Sequence, residues 1–356
     1  MQALRERVAD VRFRGVGGPL MLAQALDPLV SMNTFVMNGF VEPLKRLPRL
    51  FRVIRMLRRT FLEDRPDVFI GVDFNVFNLL LERLLKRRGV TTVHYVSPSV
   101  YAWRQGRVKR IGRAADLVMT LYPFEPPLYA ACGVRAEFVG HPLADAIEPV
   151  DATRAARDAL DIAPDQLTVA LLPGSRMSEV RAHGALFLHT ARQLAKTLGN
   201  VLFLVPCVDP GTELALRKLV QDFPDLEVRI LPGDAHRALA AANVALVKSG
   251  TGTLEAMLFG KPMVVTYRLG ALSYRIVKTL LRTPFVALPN ILAGRCLVPE
   301  LLQEAAEPQR LAAALIAELE RGRAGGHLND FRTLHLSLRR GANRRAAAAV
   351  LSLLDR

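Results

Sequence analysis

Short apolar runs alternate with longer segments whose apolar residues recur at helical spacing through most of the chain. Strands are predicted within 11–19, ending in a glycine turn, and at Val68–Val72, 92–96, 117–121 and 137–139. Helical patterns, such as 79–88, lie between most of them. The pattern pauses around 142–149, then resumes as helix 152–160, strand 168–172, helix 179–198, strand 201–205 and helix 210–221. Strand 227–231, helix 234–241, strand 244–247, helix 253–259 and strand 262–267 follow, and the tail from Pro308 is helical. Such alternation predicts parallel sheets covered by helices on both faces. The predicted fold class is α/β, with two Rossmann-like, doubly wound domains facing a cleft. They span 1–148 and 149–335, and a C-terminal helix, 336–356, either packs back on the first domain or exchanges with a second copy.

Length supports that division, because 356 residues exceed what one hydrophobic core usually serves. The composition, 51% hydrophobic and 23% charged, is that of a globular protein. Cys132, Cys207 and Cys296 are odd in number and far apart, which argues for a reducing compartment without disulfides or a cysteine metal site. No window reaches the ~18 consecutive apolar residues of a membrane span, and the first residues lack the apolar core of a signal peptide. A cytosolic protein is expected.

The formal net charge of +15 is less informative than its placement. Lys45, Arg46, Arg49, Arg52, Arg55, Arg58 and Arg59 fall within 45–59, where no acidic residue opposes them. Residues 43–63 read as an amphipathic helix, with Leu47, Leu50, Phe51, Ile54, Leu57 and Phe61 on one face. One reading packs that stripe on the sheet and leaves the arginines solvated. The other docks the helix on an anionic membrane, where each cation contributes about 1 kcal/mol. The uncharged run 30–41 would then enter lipid or line an acyl-chain groove. The candidates for acceptor or membrane contact here are Phe40, Val41, Leu44, Lys45, Leu47, Arg49, Phe51 and Arg52. Nucleic acid is a weaker partner for this charge, because aromatics form only 6% of the chain and do not alternate with the basic run.

Two glycine-bearing strand exits supply the chemistry. Strand 168–172 breaks into Pro173-Gly174-Ser175 and presents Arg176 where open α/β sheets bind ligands. Glycine permits close backbone approach, a helix N-terminus adds N–H donors, and arginine offers a planar fork for phosphate. An ordinary turn with a solvated arginine is the plain alternative. The second exit, Ser249-Gly250-Thr251-Gly252-Thr253, leads to Glu255, which either complements a helix dipole or accepts ribose hydroxyls. Neither loop has the P-loop spacing or Gly-x-Gly-x-x-Gly, so a dinucleotide cofactor is disfavoured. Asp73, at the end of Val68–Val72, is either a helix cap or a general base. His141, in a Gly-His-Pro turn, is a rival base or a structural histidine.

The stretches Leu171-Leu-Pro-Gly-Ser-Arg176, Ser249-Gly-Thr-Gly-Thr-Leu-Glu255 and His94-Tyr-Val-Ser-Pro-Ser-Val-Tyr-Ala-Trp-Arg104 together resemble the lipid-A-disaccharide synthases. So do 67–73 with Phe77-Asn78, Val139-Gly-His-Pro142, Leu288-Pro-Asn290 and Ala293-Gly-Arg295. The resemblance implies a GT-B fold and inverting, metal-independent transfer of 2,3-diacylglucosamine from UDP. The acceptor would be 2,3-diacylglucosamine 1-phosphate, the products a β-1,6 disaccharide and UDP, and no cofactor would be needed. It implies a UDP site at Gly174, Ser175, Arg176, 249–253 and Glu255, with Asn290, Arg295 and Gln303 near the nucleotide. Arg176 would meet the diphosphate, and Asp73 matches an essential family aspartate. Ser97, Ser99, Trp103 and Arg104 are further candidates for acceptor contact: an aromatic beside an arginine either binds a lipid phosphate and sugar face or forms a packed corner of the first domain. Work at the inner face of a Gram-negative inner membrane follows from the same resemblance, and the family includes swapped homodimers.

This sequence departs from the family in having Tyr101 at a tryptophan position. The family's first strand and its Gly-Glu-x-Ser-Gly-Asp loop are also absent before the part that begins near Val11. A start upstream of Met1 is the expectation; a truncated, impaired UDP-binding membrane protein is the alternative. Other sugar-nucleotide enzymes, such as an epimerase or the peptidoglycan glycosyltransferase, fit the 94–104 stretch less well.

Overall fold

Aliphatic runs become the strands of two main parallel sheets and one small one in the computed structural model. It describes residues 1–32, 42–98, 105–268 and 283–354, with only the backbone for 42–47 and 105. The chain divides into one unit of Met1–Asp145 with Leu338–Arg356, and a second of Ala146–Ser337.

The first unit contains β1 (Phe13–Gly15) and β2 (Leu26–Pro28), paired parallel as a small sheet. Its main sheet joins β3 (Val68–Val72), β4 (Thr91–Tyr95), β5 (Leu117–Thr120) and β6 (Ala136–Phe138), all parallel and in sequential order. Among the described residues this sheet therefore has no reversal of strand order. One core sets Ile54, Leu57 and Phe61 of helix Glu42–Glu63 against Phe77, Leu81 and Leu85 of helix Asn75–Lys86. Another joins Val93, Leu117, Met119 and Val139 to Ala347, Ala349 and Val350 of the last helix, Ala342–Leu351. The Asp145 carboxylate accepts the N–H groups of Gly341 and Ala342, which anchors the start of that helix. The tail thus folds back on the first unit of its own chain.

In the second unit, β7 (Leu167–Leu172), β8 (Val201–Cys207), β9 (Glu227–Pro232), β10 (Val244–Lys248), β11 (Met263–Tyr267) and β12 (Glu300–Leu302) form one parallel sheet. The order is β12-β11-β10-β7-β8-β9. Numbered within the unit, this is 6-5-4-1-2-3, the doubly wound dinucleotide-domain order read from the far edge. Helices Met177–Leu198 and Pro308–Arg323 cover one face, and Thr153–Asp158 and Ala235–Ala241 cover the other. The order reverses between β7 and β10, so both glycine-bearing exits flank the switch point where such sheets bind ligands.

The structure moves one expected boundary that matters. The helix after β10 spans Thr251–Leu258 rather than 253–259, because Gly250, with φ of 150°, serves as its N-cap. Glu255 therefore sits beyond the first turn, outside the zone where a carboxylate complements the helix dipole.

Candidate functional site

Gly174 has φ of 131°, a conformation that L side chains rarely adopt. A Cβ there would come within 2.5 Å of the Glu179 Cβ. That tight turn brings the Ser175 and Arg176 N–H groups onto Glu179 Oε2, at 3.1 and 3.3 Å. The anion that the sequence assigned to these donors is thus, in this structure, the chain's own carboxylate. Lys248 Nζ lies 3.0 Å from Glu179 Oε1 and 5.1 Å from the centre of the Tyr267 ring. Burial pushes the Glu179 carboxyl up, but Lys248 and the two N–H groups outweigh it and hold the carboxyl below its usual range. His183 Nε2 accepts the Arg268 N–H, which leaves the proton on Nδ1 to be donated to the Glu179 carbonyl oxygen. The Arg176 guanidinium reaches only 3.8 Å from Glu179 and is 80% exposed, so it is available to a ligand.

At the second exit, the Ser249 N–H donates to Thr266 O and its hydroxyl to Val286 O. The Thr253 hydroxyl donates to Gly250 O and accepts the Leu288 N–H. Ser249 and Thr253 therefore shape the loop with their side chains. The Thr251 and Gly252 N–H groups have no intrahelical partner, as at any helix start. Glu255 is partly exposed and makes no side-chain hydrogen bond with described residues.

Asn290 is a correction to the expected nucleotide contacts. It is fully buried, its Nδ2 donates to Val298 O and Glu300 Oε1, and its Oδ1 accepts the N–H groups of Leu297 and Val298. All four polar positions of the amide are spent inside the chain, so it organises the loop and has nothing left for a ligand. Glu300 completes that clasp by accepting the Val286 and Ala287 N–H groups. Arg295 pairs with Asp330 at 2.6 Å, and the Gln303 carbonyl accepts Arg268 Nε.

In the first unit, Asp73 follows β3 and is exposed. Its φ of 45° and that of Phe74, 40°, are consecutive left-handed values in non-glycine residues. Such strain costs of order 1–3 kcal/mol per residue and gathers at functional sites. Asp73 does not cap the following helix; Phe74 is the N-cap, and the Asp73 carboxylate instead accepts from Asn75 Nδ2 at 3.2 Å.

His141 fits a structural role better than that of a base. It is 7% exposed, its Nδ1 accepts the Leu143 N–H, and its own N–H donates to Leu338 O in the returning tail. Burial lowers its pKa to about 4 against a partial rise from Asp145. Ser97 bonds to the Tyr129 hydroxyl and to Glu125, whose carboxyl burial raises to about 7.

Helix Glu42–Glu63 splits its expected apolar face. Ile54, Leu57 and Phe61 are buried, whereas Phe51 and Met56 are 57% and 41% exposed beside the exposed Arg52 and Arg55. Arg49 is also exposed. The side chains of Leu44, Lys45 and Leu47, and all of Phe40, Val41, Ser99, Trp103 and Arg104, lie outside the described residues. No described helix is long and apolar enough to cross a membrane.

Sequence reasoning missed Glu179, Lys248 and Glu300. Glu179 had a signal, an acid three residues after the helix cap. Lys248 had a weaker one, a lone cation ending an apolar strand. Glu300 lies in the three-residue β12, too short for any pattern.

The lipid-A-disaccharide synthetase family model matches residues 1–352. A lipid-A-disaccharide synthase from Azotobacter vinelandii is 50% identical over all of this chain and 94% of its own. One from Methylobacillus flagellatus is 42% identical over 99% of this chain and 94% of its own. Among solved structures, a Neisseria meningitidis UDP-GlcNAc 2-epimerase bound to UDP-GlcNAc superposes with TM-score 0.60 at 12% identity, covering 95% of this chain and 89% of that one. A calicheamicin glycosyltransferase gives 0.59 at 18% identity, covering 99% and 93%. Those two likenesses establish the fold, that of the GT-B glycosyltransferases. With the family model spanning nearly every residue and relatives at 42–50% identity along almost their whole length, the chain belongs to the lipid-A-disaccharide synthase family.

Proposed function

We propose that this enzyme transfers 2,3-diacylglucosamine from UDP to the 6-hydroxyl of 2,3-diacylglucosamine 1-phosphate. Asp73 accepts the hydroxyl proton as the oxygen bonds to the donor's anomeric carbon from the face opposite UDP. The anomeric C–O bond to UDP breaks as the new bond forms, and its electron pair leaves with the diphosphate, giving an inverted β-1,6 linkage. The leaving charge is met by the Thr251 and Gly252 N–H groups and by Arg176, while Glu255 accepts the ribose hydroxyls. Donors of this kind strengthen as charge develops, so they act mainly on the transition state. The Ser175 and Arg176 N–H groups take part only if Glu179 turns away.

The observation that carries this reading is the pair of glycine exits flanking the strand-order reversal of the second sheet. The test measures UDP release from UDP-2,3-diacylglucosamine that depends on the acceptor lipid. Asp73→Ala and Arg176→Ala are expected to lower kcat at least 100-fold, as loss of a base or a charge donor does elsewhere. Acceptor-independent UDP release, or full turnover by both variants, defeats the assignment.

The exposed Phe51, Met56, Arg52 and Arg55 support docking at an anionic membrane, at the inner face of the inner membrane. Phe51→Ser with Arg52→Ser and Arg55→Ser should release the protein from vesicles containing phosphatidylglycerol. Unchanged vesicle binding by that variant refutes the docking surface.

A further inference from the structure

Behind Asp73 runs a line of polar groups that enters the core of the first unit. Asn75 Nδ2 lies 3.2 Å from Asp73 Oδ1, and Asn75 Oδ1 lies 2.9 Å from His94 Nε2. His94 Nδ1 is 2.8 Å from Glu82 Oε1. Both His94 and Glu82 are fully buried, on β4 and on helix Asn75–Lys86 respectively.

The direction of every bond follows from chemistry. An ionised Asp73 only accepts, so Asn75 turns its NH2 toward it and its oxygen toward His94. His94 Nε2 therefore carries a proton. The His94–Glu82 contact then holds one further proton, on either partner. Burial raises the Glu82 pKa, and Glu82 Oε2 has no hydrogen-bond partner among the described residues. Whichever partner holds that proton, His94 keeps the one on Nε2, because Asn75 Oδ1 accepts it.

The fold makes room for this line. A Cβ on Gly71, the neighbour of His94 across β3 and β4, would fall 2.0 Å from Glu82 Oε1. Asn78 Nδ2 donates to Val72 O and Asp73 O at 3.0 and 2.8 Å, which pins the left-handed backbone from below. A buried polar pair adds little net stability over apolar residues of the same shape. Its product here is one fixed donor aimed at an exposed carboxylate.

We propose that Asn75, held by His94 and Glu82, is a positioning residue that fixes the Asp73 carboxylate for proton acceptance. This rests on the reading of Asp73 as the base. Asn75→Ala should lower kcat about 10- to 100-fold, the usual effect of misplacing a catalytic group. The donor KM should stay within about twofold, because Asn75 belongs to the first unit and the residues proposed to hold the nucleotide belong to the second. His94→Ala should show a similar loss. His94→Gln, whose amide can again donate to Asn75, should recover at least a third of the lost kcat.

Thermal unfolding of each variant checks that the fold persists, and Asn75 is partly exposed, so its variant folds. Wild-type kcat in Asn75→Ala with an inactive Asp73→Ala overturns the positioning role and spares the base. Wild-type kcat in Asp73→Ala removes the base itself. A folded His94→Gln no better than His94→Ala overturns the line of transmission from the core.

Discussion

Glu125 and His141 titrate in opposite senses within the first unit, and their combination gives a sharp test of the electrostatics described above. Tyr122 lies between them, with its N–H on Glu125 Oε2 at 3.1 Å and its ring 5.7 Å from that of His141. His141 falls to about 4 on folding, chiefly by burial. Its stabilising contribution is present above the unfolded value, near 6.5, and is lost as pH falls toward 4. Between pH 7 and pH 5 that loss is about 2 kcal/mol. Glu125 rises to about 7, also chiefly by burial. Its contribution is complete below the unfolded value, near 4.5, and is lost as pH rises through 7. Acidification from pH 7 to pH 5 therefore returns about 2 kcal/mol. The two nearly cancel in the native protein. Glu125→Gln and His141→Asn keep the acceptors for the Tyr122 and Leu143 N–H groups while removing each titration. Urea unfolding followed by circular dichroism reads stability at both pH values. Relative to the native protein, Glu125→Gln should lose about 2 kcal/mol between pH 7 and pH 5, and His141→Asn should gain as much. The double variant should return to the native slope. Parallel pH profiles for all four proteins would refute the burial argument for both groups.

Asn290→Ala should destabilise the second unit by about 3–5 kcal/mol, because Glu300 and three backbone groups lose their partners in a dry site. A change below about 1 kcal/mol, measured by urea unfolding, removes the clasp from the account. Gly140→Ala places a Cβ 2.7 Å from the Arg340 Cβ and 3.0 Å from Leu338 O, at a φ of 95°. Limited proteolysis should then cut the returning tail much faster than in the native protein, whereas an unchanged cutting rate contradicts the close approach.

Most of the second unit was legible because strands such as 168–172 and 201–205 are long, aliphatic and separated by helical patterns. The switch point itself was not visible, since strand order depends on which crossovers turn back, and no local pattern records that. Glycine exits were readable as turns, but not their occupants. Glu179 fills the donors given to phosphate because it lies five places beyond Gly174 and folds back over it, a consequence of one φ angle. Asp73 was found as a strand-end carboxylate, yet the polar line behind it joins residues 75, 82 and 94, which are brought together only by the register of β3 with β4. The basic helix misled in one respect. Phe51 shared a face with Ile54 on paper, but the helix turns Ile54, Leu57 and Phe61 inward and leaves Phe51 beside the arginines.

The returning tail sets the order in which the chain can assemble. Residues 146–337 form a contiguous unit that can fold as soon as it is synthesised, whereas the first unit is interrupted. Val93, Leu117, Met119 and Val139 complete their core only when Ala347, Ala349 and Val350 arrive. The part of the protein made first is therefore finished last. Until then an apolar face of the first sheet waits uncovered through the synthesis of the whole second unit. A stop codon that removes only the final helix should thus expose the first unit to aggregation while leaving the second able to fold.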